Sequence, residues 1–167
     1  MMVATFIARG IGDQDVLRAM GKVPRHEFVD DRHQLAAYND HPLDIGHGQT
    51  ISQPYMVAYM TQALGSVGDK KILEIGTGCG YQTAVLCEMG ANVFSVEVVE
   101  PLFERAKQTL SRLGYDVRFR LGNGKEGWVE EAPFDGILVA AAPADVPAAL
   151  VEQLKDGGRL VIPVGTY

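Results

Sequence analysis

The sequence predicts an α/β fold, a doubly wound and mostly parallel β-sheet behind a helical N-terminal cap. Three observations indicate this fold. From residue 71 onward, short apolar runs alternate with amphipathic helical segments. The run "ILVAAA" (137–142) has the continuous apolarity of a strand buried on both faces. A glycine-rich turn follows the first apolar run. Alternating strands and helices imply right-handed crossovers and a parallel sheet.

Composition fits one globular domain. The 167 residues can bury a sizeable core, and 47% hydrophobic with 22% charged residues is ordinary for a soluble fold. We expect residues 1–66 to form the cap and a substrate loop, and residues 70–167 to form the α/β core. The formal net charge of −6 argues against a protein that grips a nucleic-acid backbone.

The sequence also predicts a cytoplasmic protein without a metal. The early apolar run "MMVATFIA" has no basic leader and is too short to span a bilayer. Cys79 and Cys87 flank one predicted helix about 12 Å apart, too far for a disulfide, which indicates free thiols in a reducing compartment. The histidines have no metal-ligand spacing and are interpreted as loop and surface residues: His26, His33, His41 and His47.

The N-terminal elements follow from spacing and capping. Asp13 is a candidate N-cap for a helix whose apolar residues recur at helical spacing over 16–23. "VPRHEFV" (23–29) predicts a second short helix with Pro24 in its first turn. Turn-forming residues at 39–42 predict irregular chain.

The stretch "GHGQTISQP" (46–54) has neither a helix nor a strand period, so we expect an irregular loop. Pro54 should open the next helix, capped by Ser52 or Gln53. The buried stripe of that helix is predicted to be Val57, Met60 and Leu64, and Gly65 should end it.

Five strands are predicted after this helix. They are "KILEI" (71–75), "NVFSV" (92–96), "VRFRL" (117–121), "FDGILVA" (134–140) and "RLVIPV" (159–164).

The sharpest motif is "ILEIGTGCGYQTA" (72–84), a buried strand that runs through a glycine turn into a helix. Such turns let a ligand approach the backbone, and the helix offers free N–H groups. A dinucleotide fingerprint requires glycine where Tyr81 stands, and Gly80 comes one position early. The pattern Glu-x-Gly-x-Gly-x-Gly instead resembles the first motif of S-adenosylmethionine-dependent methyltransferases. Glu97, about twenty residues on, can accept both hydroxyls of a ribose.

Longer stretches resemble one family, the protein-L-isoaspartate (D-aspartate) O-methyltransferases. They are "VPRHEFV" (23–29), "IGHGQTISQPYMVAYM" (45–60), "ILEIGTGCGYQTAVL" (72–86), "VFSVEVVEPLFERA" (93–106), "PFDGILVAAAP" (133–143) and "LKDGGRLVIPVG" (154–165). The glycine motif and "FDGILV" are common to many methyltransferases, whereas "GQTISQP" is selective for this family.

The resemblance implies a Rossmann-like fold and a repair activity. S-adenosyl-L-methionine would donate a methyl group to the free α-carboxylate of L-isoaspartyl and D-aspartyl residues in damaged proteins, leaving S-adenosyl-L-homocysteine. The ester then cyclises to a succinimide. A carboxylate with an ordinary pKa of about 3.5–4 is already ionised at neutral pH, so no general base is needed.

The resemblance also implies the site residues. Ser52 would lie at the active site, and the dipole of the helix starting near Pro54 would favour an anion there. Substrate contacts would come from Gly46, Gly48, Gln49, Thr50 and Ser52. Cofactor contacts would come from Thr50, Ile51, Ser52, Glu74, Gly76, Thr77, Gly78, Gly80, Tyr81, Glu97, Val98, Gly122 and Asn123. No metal is implied.

Two departures from the family pattern stand out. The family usually has aspartate where this chain has Asn123, so we expect weaker cofactor binding by about 1 kcal/mol. Family members also continue past "LVIPVG", so the chain reads as truncated after its fifth strand, which would become a sheet edge. We expect a monomer that binds isoaspartyl proteins but neither nucleic acid nor membranes, with edge-strand pairing as the alternative.

Three other interpretations remain open at this point. A truncated, non-catalytic module could bind S-adenosylmethionine or peptide without turnover. A small-molecule methyltransferase is opposed only by the stretch 46–54. A nicotinamide-dependent dehydrogenase is opposed by Tyr81.

Overall fold

The computed structural model describes residues 2–165, and the elements in this part of the chain follow the predicted alternation. The helices are α1 (Met2–Ala8), α2 (Gln14–Lys22), α3 (Pro54–Leu64), α4 (Tyr81–Glu88), α5 (Glu100–Arg112) and α6 (Ala148–Glu152). The strands are β1 (Leu43–Gly46), β2 (Gln49–Ile51), β3 (Lys71–Ile75), β4 (Asn92–Glu97), β5 (Arg118–Leu121), β6 (Phe134–Val139) and β7 (Leu154–Val161). Short 3-10 turns cover Arg25–Phe28, Asp31–Ala36, Gly124–Glu126 and Val129–Glu131.

The core is a five-stranded sheet in the order β5-β4-β3-β6-β7, and every neighbouring pair is parallel. The chain moves outward from β3 in one direction through β4 and β5, and in the other direction through β6 and β7. The switch between β3 and β6 is where such sheets open a crevice for ligands. The predicted doubly wound α/β fold is confirmed.

Four of the five strand predictions agree with the structure to within one residue at each end. The fifth is wrong at both ends, because β7 covers Leu154–Val161 rather than residues 159–164. The sequence just before residue 159 contains two glycines and looks like a turn. In the structure this segment is absorbed by a register shift, in which Phe134 pairs with Leu154 and Gly136 with Arg159.

Successive side chains along the strands pack into two separate core layers, one on each face of the sheet. Ile72, Val93 and Leu138 face the layer formed with helices α2 to α5. Their chain neighbours Leu73, Phe94 and Ile137 face the opposite layer, which includes Leu150 of α6. The sheet is therefore buried on both faces, as the apolar run in β6 predicts.

Asp13 is the N-cap residue of α2, as predicted. The Asp13 carboxylate accepts hydrogen bonds from the backbone N–H groups of Asp15 and Val16, at 2.9 and 3.2 Å. The second short helix is only a 3-10 turn, Arg25–Phe28, and Pro24 precedes it rather than lying inside it. No helix within residues 2–165 is long and apolar enough to cross a membrane.

The prediction of an irregular loop at 46–54 is wrong, because β1 and β2 form an antiparallel hairpin. Its two-residue turn is made by His47 and Gly48, with φ of 56° and 69°. Positive φ at both positions is the geometry that joins tight hairpins. Leu43 and Ile45 point inward and anchor the hairpin, which is too short for the pattern to show in the sequence.

Helix α3 begins at Pro54 and ends at Gly65 as predicted, and its predicted stripe is buried. Its capping is different from the prediction. Gln53 holds the N-cap position but makes no side-chain capping bond. Instead the carboxylate of Asp40 accepts a hydrogen bond from the backbone N–H of Tyr55 at 2.9 Å, and another from the Gln53 amide at 2.9 Å.

One carboxylate is buried in the core beneath the glycine turn. Glu74 is fully buried, and its Oε2 accepts hydrogen bonds from the hydroxyls of Thr83 at 2.5 Å and Ser95 at 2.7 Å. Its Oε1 has no hydrogen-bond partner. Burial raises the pKa of Glu74 to about 7, with the two hydroxyls partly opposing the shift.

A glycine-to-alanine pair separates packing from backbone strain. At Gly80 (φ 92°) a Cβ would lie 2.8 Å from Leu110 Cδ1, whereas at Gly114 (φ 83°) it would meet nothing within 4 Å. We expect Gly80→Ala to lower the free energy of unfolding by about 2–4 kcal/mol and Gly114→Ala by about 1 kcal/mol. Urea denaturation measures both, and equal losses would contradict tight packing of α4 against α5.

The raised pKa of Glu74 predicts a pH-dependent stability. The folded state retains a proton on this carboxyl from the ordinary pKa of 4.5 up to about 7, so wild-type stability falls as pH rises through that window. Glu74→Gln cannot ionise and still offers an acceptor. Relative to wild type, the variant should gain up to about 3 kcal/mol between pH 5 and pH 8.

Urea unfolding at several pH values tests this prediction. The control is Gln108→Ala, at an exposed position of α5, which removes no ionisable group and should leave the pH slope of wild type unchanged. A Glu74→Gln variant with the wild-type pH slope would show that this carboxyl does not titrate in the window.

Candidate functional site

A cavity of about 390 Å³ opens at the switch point of the sheet. Its floor is the turn after β3, and its walls are the ends of β4 and β6. The loop at Asn123 and the strand β2 of the hairpin complete it. The volume is within the range of small-molecule and cofactor sites. The site therefore joins the glycine motif to the hairpin, two features that are separated in sequence.

The glycine turn is held close to the strands on either side. Gly76 N–H donates to the carbonyl oxygen of Val96 at 2.8 Å, and Ala140 N–H donates to the carbonyl oxygen of Ile75 at 2.8 Å. Gly76 and Gly78 have φ of 90° and 56°, values that side-chain-bearing residues rarely adopt. At these two glycines the turn thus presents backbone to the cavity.

Glu97 fastens this turn to β4. Its Oε2 accepts a hydrogen bond from Gly78 N–H at 2.7 Å, and its Oε1 accepts from the N–H groups of Val98 and Val99 at 2.9 Å each. The residue is only 5% exposed but lies on the cavity wall. A carboxylate has about four acceptor positions, and three are in use, so one remains for a further donor such as a ribose hydroxyl.

The hairpin supplies the hydroxyl groups of the site. Thr50 and Ser52 both line the cavity, and no hydrogen bond within residues 2–165 uses either hydroxyl. Ser52 is held through its backbone instead, because Arg25 Nη2 donates to its carbonyl oxygen at 2.7 Å. Arg105 Nη2 donates to the carbonyl oxygen of Ile45 at 2.7 Å and fixes the first strand of the hairpin to α5.

Asn123 lies on the cavity wall, and its side chain makes local bonds. Its Oδ1 accepts from Lys125 N–H at 3.1 Å, and its Nδ2 donates to Glu126 Oε1 at 3.1 Å. The carbonyl oxygen keeps one lone pair for a ligand.

Most of the predicted site residues lie together on the cavity wall. They are Gln49, Thr50, Ile51, Ser52, Gly76, Thr77, Gly78, Tyr81, Glu97, Val98 and Asn123. Five others do not line it: Gly46, Gly48, Glu74, Gly80 and Gly122.

The five have other roles in the fold. Gly46 and Gly48 belong to the hairpin and its turn, Glu74 is buried below the glycine turn, and Gly80 allows the contact with Leu110. Gly122 follows β5, and its N–H donates to the carbonyl oxygen of Glu97 at 2.8 Å. Their predicted ligand contacts have no support in the cavity geometry.

Sequence reasoning missed the segment after β6. Ala140, Ala141, Ala142 and Pro143 line the cavity, followed by Pro147 and Leu150. The signal was present, because the carboxyl end of a strand next to the switch point faces the crevice. Gly124 and Lys125 are also on the wall, directly after Asn123.

The cavity holds few groups suited to acid–base or metal chemistry. Burial raises the pKa of the Cys79 thiol to about 11, so this residue lines the wall as an uncharged thiol. Within residues 2–165, no cluster of three or more His, Cys, Asp or Glu side chains could hold a metal ion. What the wall offers is hydroxyl donors, the Glu97 carboxylate and accessible backbone.

Comparison with known proteins agrees on one family. The family model described as protein-L-isoaspartate(D-aspartate) O-methyltransferase matches residues 1–167. A protein-L-isoaspartate O-methyltransferase of Opitutus terrae is 57% identical over 166 residues, covering 99% of this chain and 71% of its own. One from Picosynechococcus sp. is 54% identical, covering 99% of this chain and 75% of its own.

Solved structures give the same result. A protein-L-isoaspartate O-methyltransferase superposes with a TM-score of 0.88 at 33% identity, over 98% of this chain and 54% of that one. A Plasmodium falciparum protein described as a protein-L-isoaspartate O-methyltransferase, in complex with S-adenosyl-L-homocysteine, gives 0.85 at 28% identity, over 99% and 83%. The chain belongs to the protein-L-isoaspartate(D-aspartate) O-methyltransferase family.

Proposed function

We propose that this chain transfers a methyl group from S-adenosyl-L-methionine to the free α-carboxylate of L-isoaspartyl and D-aspartyl residues in damaged proteins. The observation that carries the proposal is the meeting of two parts in one cavity. Free hydroxyls of Thr50 and Ser52 line it together with the glycine turn and Glu97. Product release would leave an ester that cyclises to a succinimide and so begins repair.

The cavity residues fit the cofactor. Glu97 keeps one acceptor position for a ribose hydroxyl, and the backbone of the glycine turn can be approached closely. Gly76 lines the cavity with a φ of 90°, a conformation that residues with side chains rarely adopt. The Plasmodium relative that holds S-adenosyl-L-homocysteine supports this assignment. When bound, the cofactor supplies an electrophilic methyl carbon on a positively charged sulfur.

The residues of the chain then have to orient a carboxylate rather than activate it. The α-carboxylate is ionised at neutral pH, and the cavity accordingly needs no general base. The hydroxyls of Thr50 and Ser52 can each donate a hydrogen bond to one of its oxygens. Such positioning can contribute about 7–11 kcal/mol when the reacting atoms are held near the attack geometry.

The hairpin suits a substrate of variable sequence. One edge of β2 pairs with β1, and no strand within residues 2–165 pairs with its other edge. An extended peptide could therefore form backbone hydrogen bonds along β2, which are independent of side-chain identity. Gln49 and Thr50 are exposed at this edge.

The same proposal includes the setting of the protein. We place it in the cytoplasm, because Cys79 and Cys87 are free thiols. We propose a monomer that does not bind nucleic acid, consistent with the net charge of −6.

Methyl transfer from labelled S-adenosylmethionine to an isoaspartyl peptide tests the proposal. The control is the same peptide with normal aspartate. We expect base-labile label on the isoaspartyl peptide alone. Cofactor binding without transfer would point to a non-catalytic binding module, and transfer to small carboxylic acids but not to peptide would point to a small-molecule methyltransferase.

Ser52→Ala tests the role of the hydroxyl. Loss of a hydrogen bond to a charged group costs about 1.5–3 kcal/mol, so kcat/KM for the isoaspartyl peptide should fall about tenfold to hundredfold. The free energy of unfolding should stay close to wild type, because Gln53 holds the N-cap position of α3. Ser111→Ala, at an exposed position of α5, is the matched control. An unchanged kcat/KM would remove Ser52 from the mechanism.

Asn123→Asp tests the proposed weakening of cofactor affinity. An aspartate would accept a stronger, charge-assisted bond, but it would also face Glu126, which now accepts a bond from Asn123 at 3.1 Å. The comparison is therefore made in a Glu126→Gln background. There, Asn123→Asp should bind the cofactor more tightly by about 1 kcal/mol, as calorimetry would measure. Equal affinity of the two variants would contradict the hypothesis.

A further inference from the structure

We infer that Arg25 is a positioning residue that gives the carboxylate subsite its positive charge, acting from behind the cavity wall through Ser52. This inference rests on the proposed function and names the group that selects an anionic substrate. Arg25 does not line the cavity and is not assigned a contact with the substrate.

Arg25 lies directly behind two residues of the wall. It is fully buried, and its Nη2 donates to the carbonyl oxygen of Ser52 at 2.7 Å. Its guanidinium carbon is 4.6 Å from the centre of the Tyr81 ring, and Tyr81 also lines the cavity. Its Nε donates to the carbonyl oxygen of Ala37 at 2.7 Å. The guanidinium is thus locked against the back of the hairpin.

The charge of Arg25 is not neutralised by a neighbouring carboxylate. Its Nε and Nη2 donate to backbone carbonyls, and its Nη1 is buried without a hydrogen-bond partner. Within residues 2–165 it forms no ion pair. Asp40 acts on it only weakly and at longer range, and that carboxylate is already engaged with Arg9, Gln53 and Tyr55.

The groups around Arg25 leave it charged. Burial lowers the pKa of the guanidinium, but arginine starts so high that it remains protonated in proteins. The ionisable neighbours Tyr81 and Cys79 stay neutral, because burial raises their pKa values to about 12 and about 11. A buried cation facing neutral groups is costly unless an anion shares its surroundings.

The N-terminus of α3 could also supply positive potential, but a carboxylate of the chain already occupies it. The N-terminus of α3 begins next to Ser52, but the Asp40 carboxylate accepts the hydrogen bond of Tyr55 N–H there. The dipole of that helix is therefore offset by a resident negative charge. Arg25 remains as the unpaired cation on this side of the cavity, and a substrate carboxylate at Ser52 would complement it.

If Arg25 only held the hairpin in place, its loss should have the same effect as the loss of Arg105. Arg105 also donates to a hairpin carbonyl, that of Ile45 at 2.7 Å, but it is paired with Asp30 at 3.2 Å. Loss of either arginine removes one tether of the hairpin. Only loss of Arg25 removes an unpaired buried charge.

The test compares two peptides for binding to the chain in the presence of S-adenosyl-L-homocysteine. One carries the isoaspartyl α-carboxylate, and the other is identical except for a neutral carboxamide at that position. Calorimetry gives the ratio of their affinities for wild type, Arg25→Gln, Arg25→Lys and Arg105→Gln. Thermal unfolding and the affinity for S-adenosyl-L-homocysteine alone report whether each variant is folded.

We expect wild type to prefer the carboxylate and Arg25→Gln to lose about tenfold of that preference, the effect of a nearby charge on a carboxylate. Arg25→Lys should keep the preference while binding both peptides more weakly. Arg105→Gln should weaken both equally. If Arg25→Gln does not fold, Arg25→Lys provides the test. Lysine retains the positive charge but cannot make both hydrogen bonds that Arg25 donates to Ala37 and Ser52.

Three outcomes overturn the inference. They are an unchanged preference in Arg25→Gln, a lost preference in Arg25→Lys, and an equal loss of preference in Arg105→Gln. Wild type that binds neither peptide overturns both this inference and the proposed function. If wild type prefers the carboxylate, Arg25→Gln loses that preference and no methyl group is transferred, the proposed function is overturned and the role of Arg25 is supported.

Discussion

Three backbone N–H groups converge on the carboxylate of Glu97, and the rest of the cavity depends on this convergence. The bond from Gly78 ties the glycine turn to the end of β4, and those from Val98 and Val99 fix the start of α5. Because the glycines of the turn present backbone to the cavity, a ligand can lie against it. Because β3 pairs in parallel with β4 and β6, the carboxyl ends of all three strands meet at the same edge of the sheet.

The opposite wall is organised by arginines rather than by strand pairing with the main sheet. Within residues 2–165 the β1–β2 hairpin pairs with no other strand, and Arg25 and Arg105 hold its carbonyls from two sides. Arg105 belongs to α5, whose start is fixed by Glu97, so the two halves of the cavity share one support. A short hairpin with few apolar residues can be rigid on these terms. This arrangement costs free energy, because the Arg25 guanidinium is buried without a carboxylate partner.

The sequence predicted the sheet well and the hairpin poorly, for physical reasons. Strands buried on both faces have continuous apolar runs, so β3 and β6 can be predicted from the order of apolar residues alone. The hairpin has three- and four-residue strands and depends on His47 at positive φ, which no periodicity reveals. Likewise, the cap of α3 comes from Asp40, which is distant from Gln53 in sequence, and only the folded chain brings them together.

The candidate site shows the same division. Glycines 76 and 78 and Glu97 were predictable, because turn chemistry and strand order place them at the crevice. Glu74 and Gly80 belong to the same motif, but one supports the core and the other permits helix packing. Membership of the motif therefore does not tell which residues contact a ligand and which support the fold. Ser52 was predicted by resemblance, and its unengaged hydroxyl on the cavity wall is consistent with that role.

A crystal structure of the chain with S-adenosyl-L-homocysteine and an isoaspartyl peptide would test the proposed arrangement most directly. We expect a ribose hydroxyl at Glu97 and the peptide carboxylate at the hydroxyls of Thr50 and Ser52. A carboxylate oxygen should point at the sulfur with room for a methyl group between them, as an attack distance of about 3–3.5 Å to the methyl carbon requires. A peptide bound away from the hairpin, or a carboxylate turned from the sulfur, would contradict this arrangement.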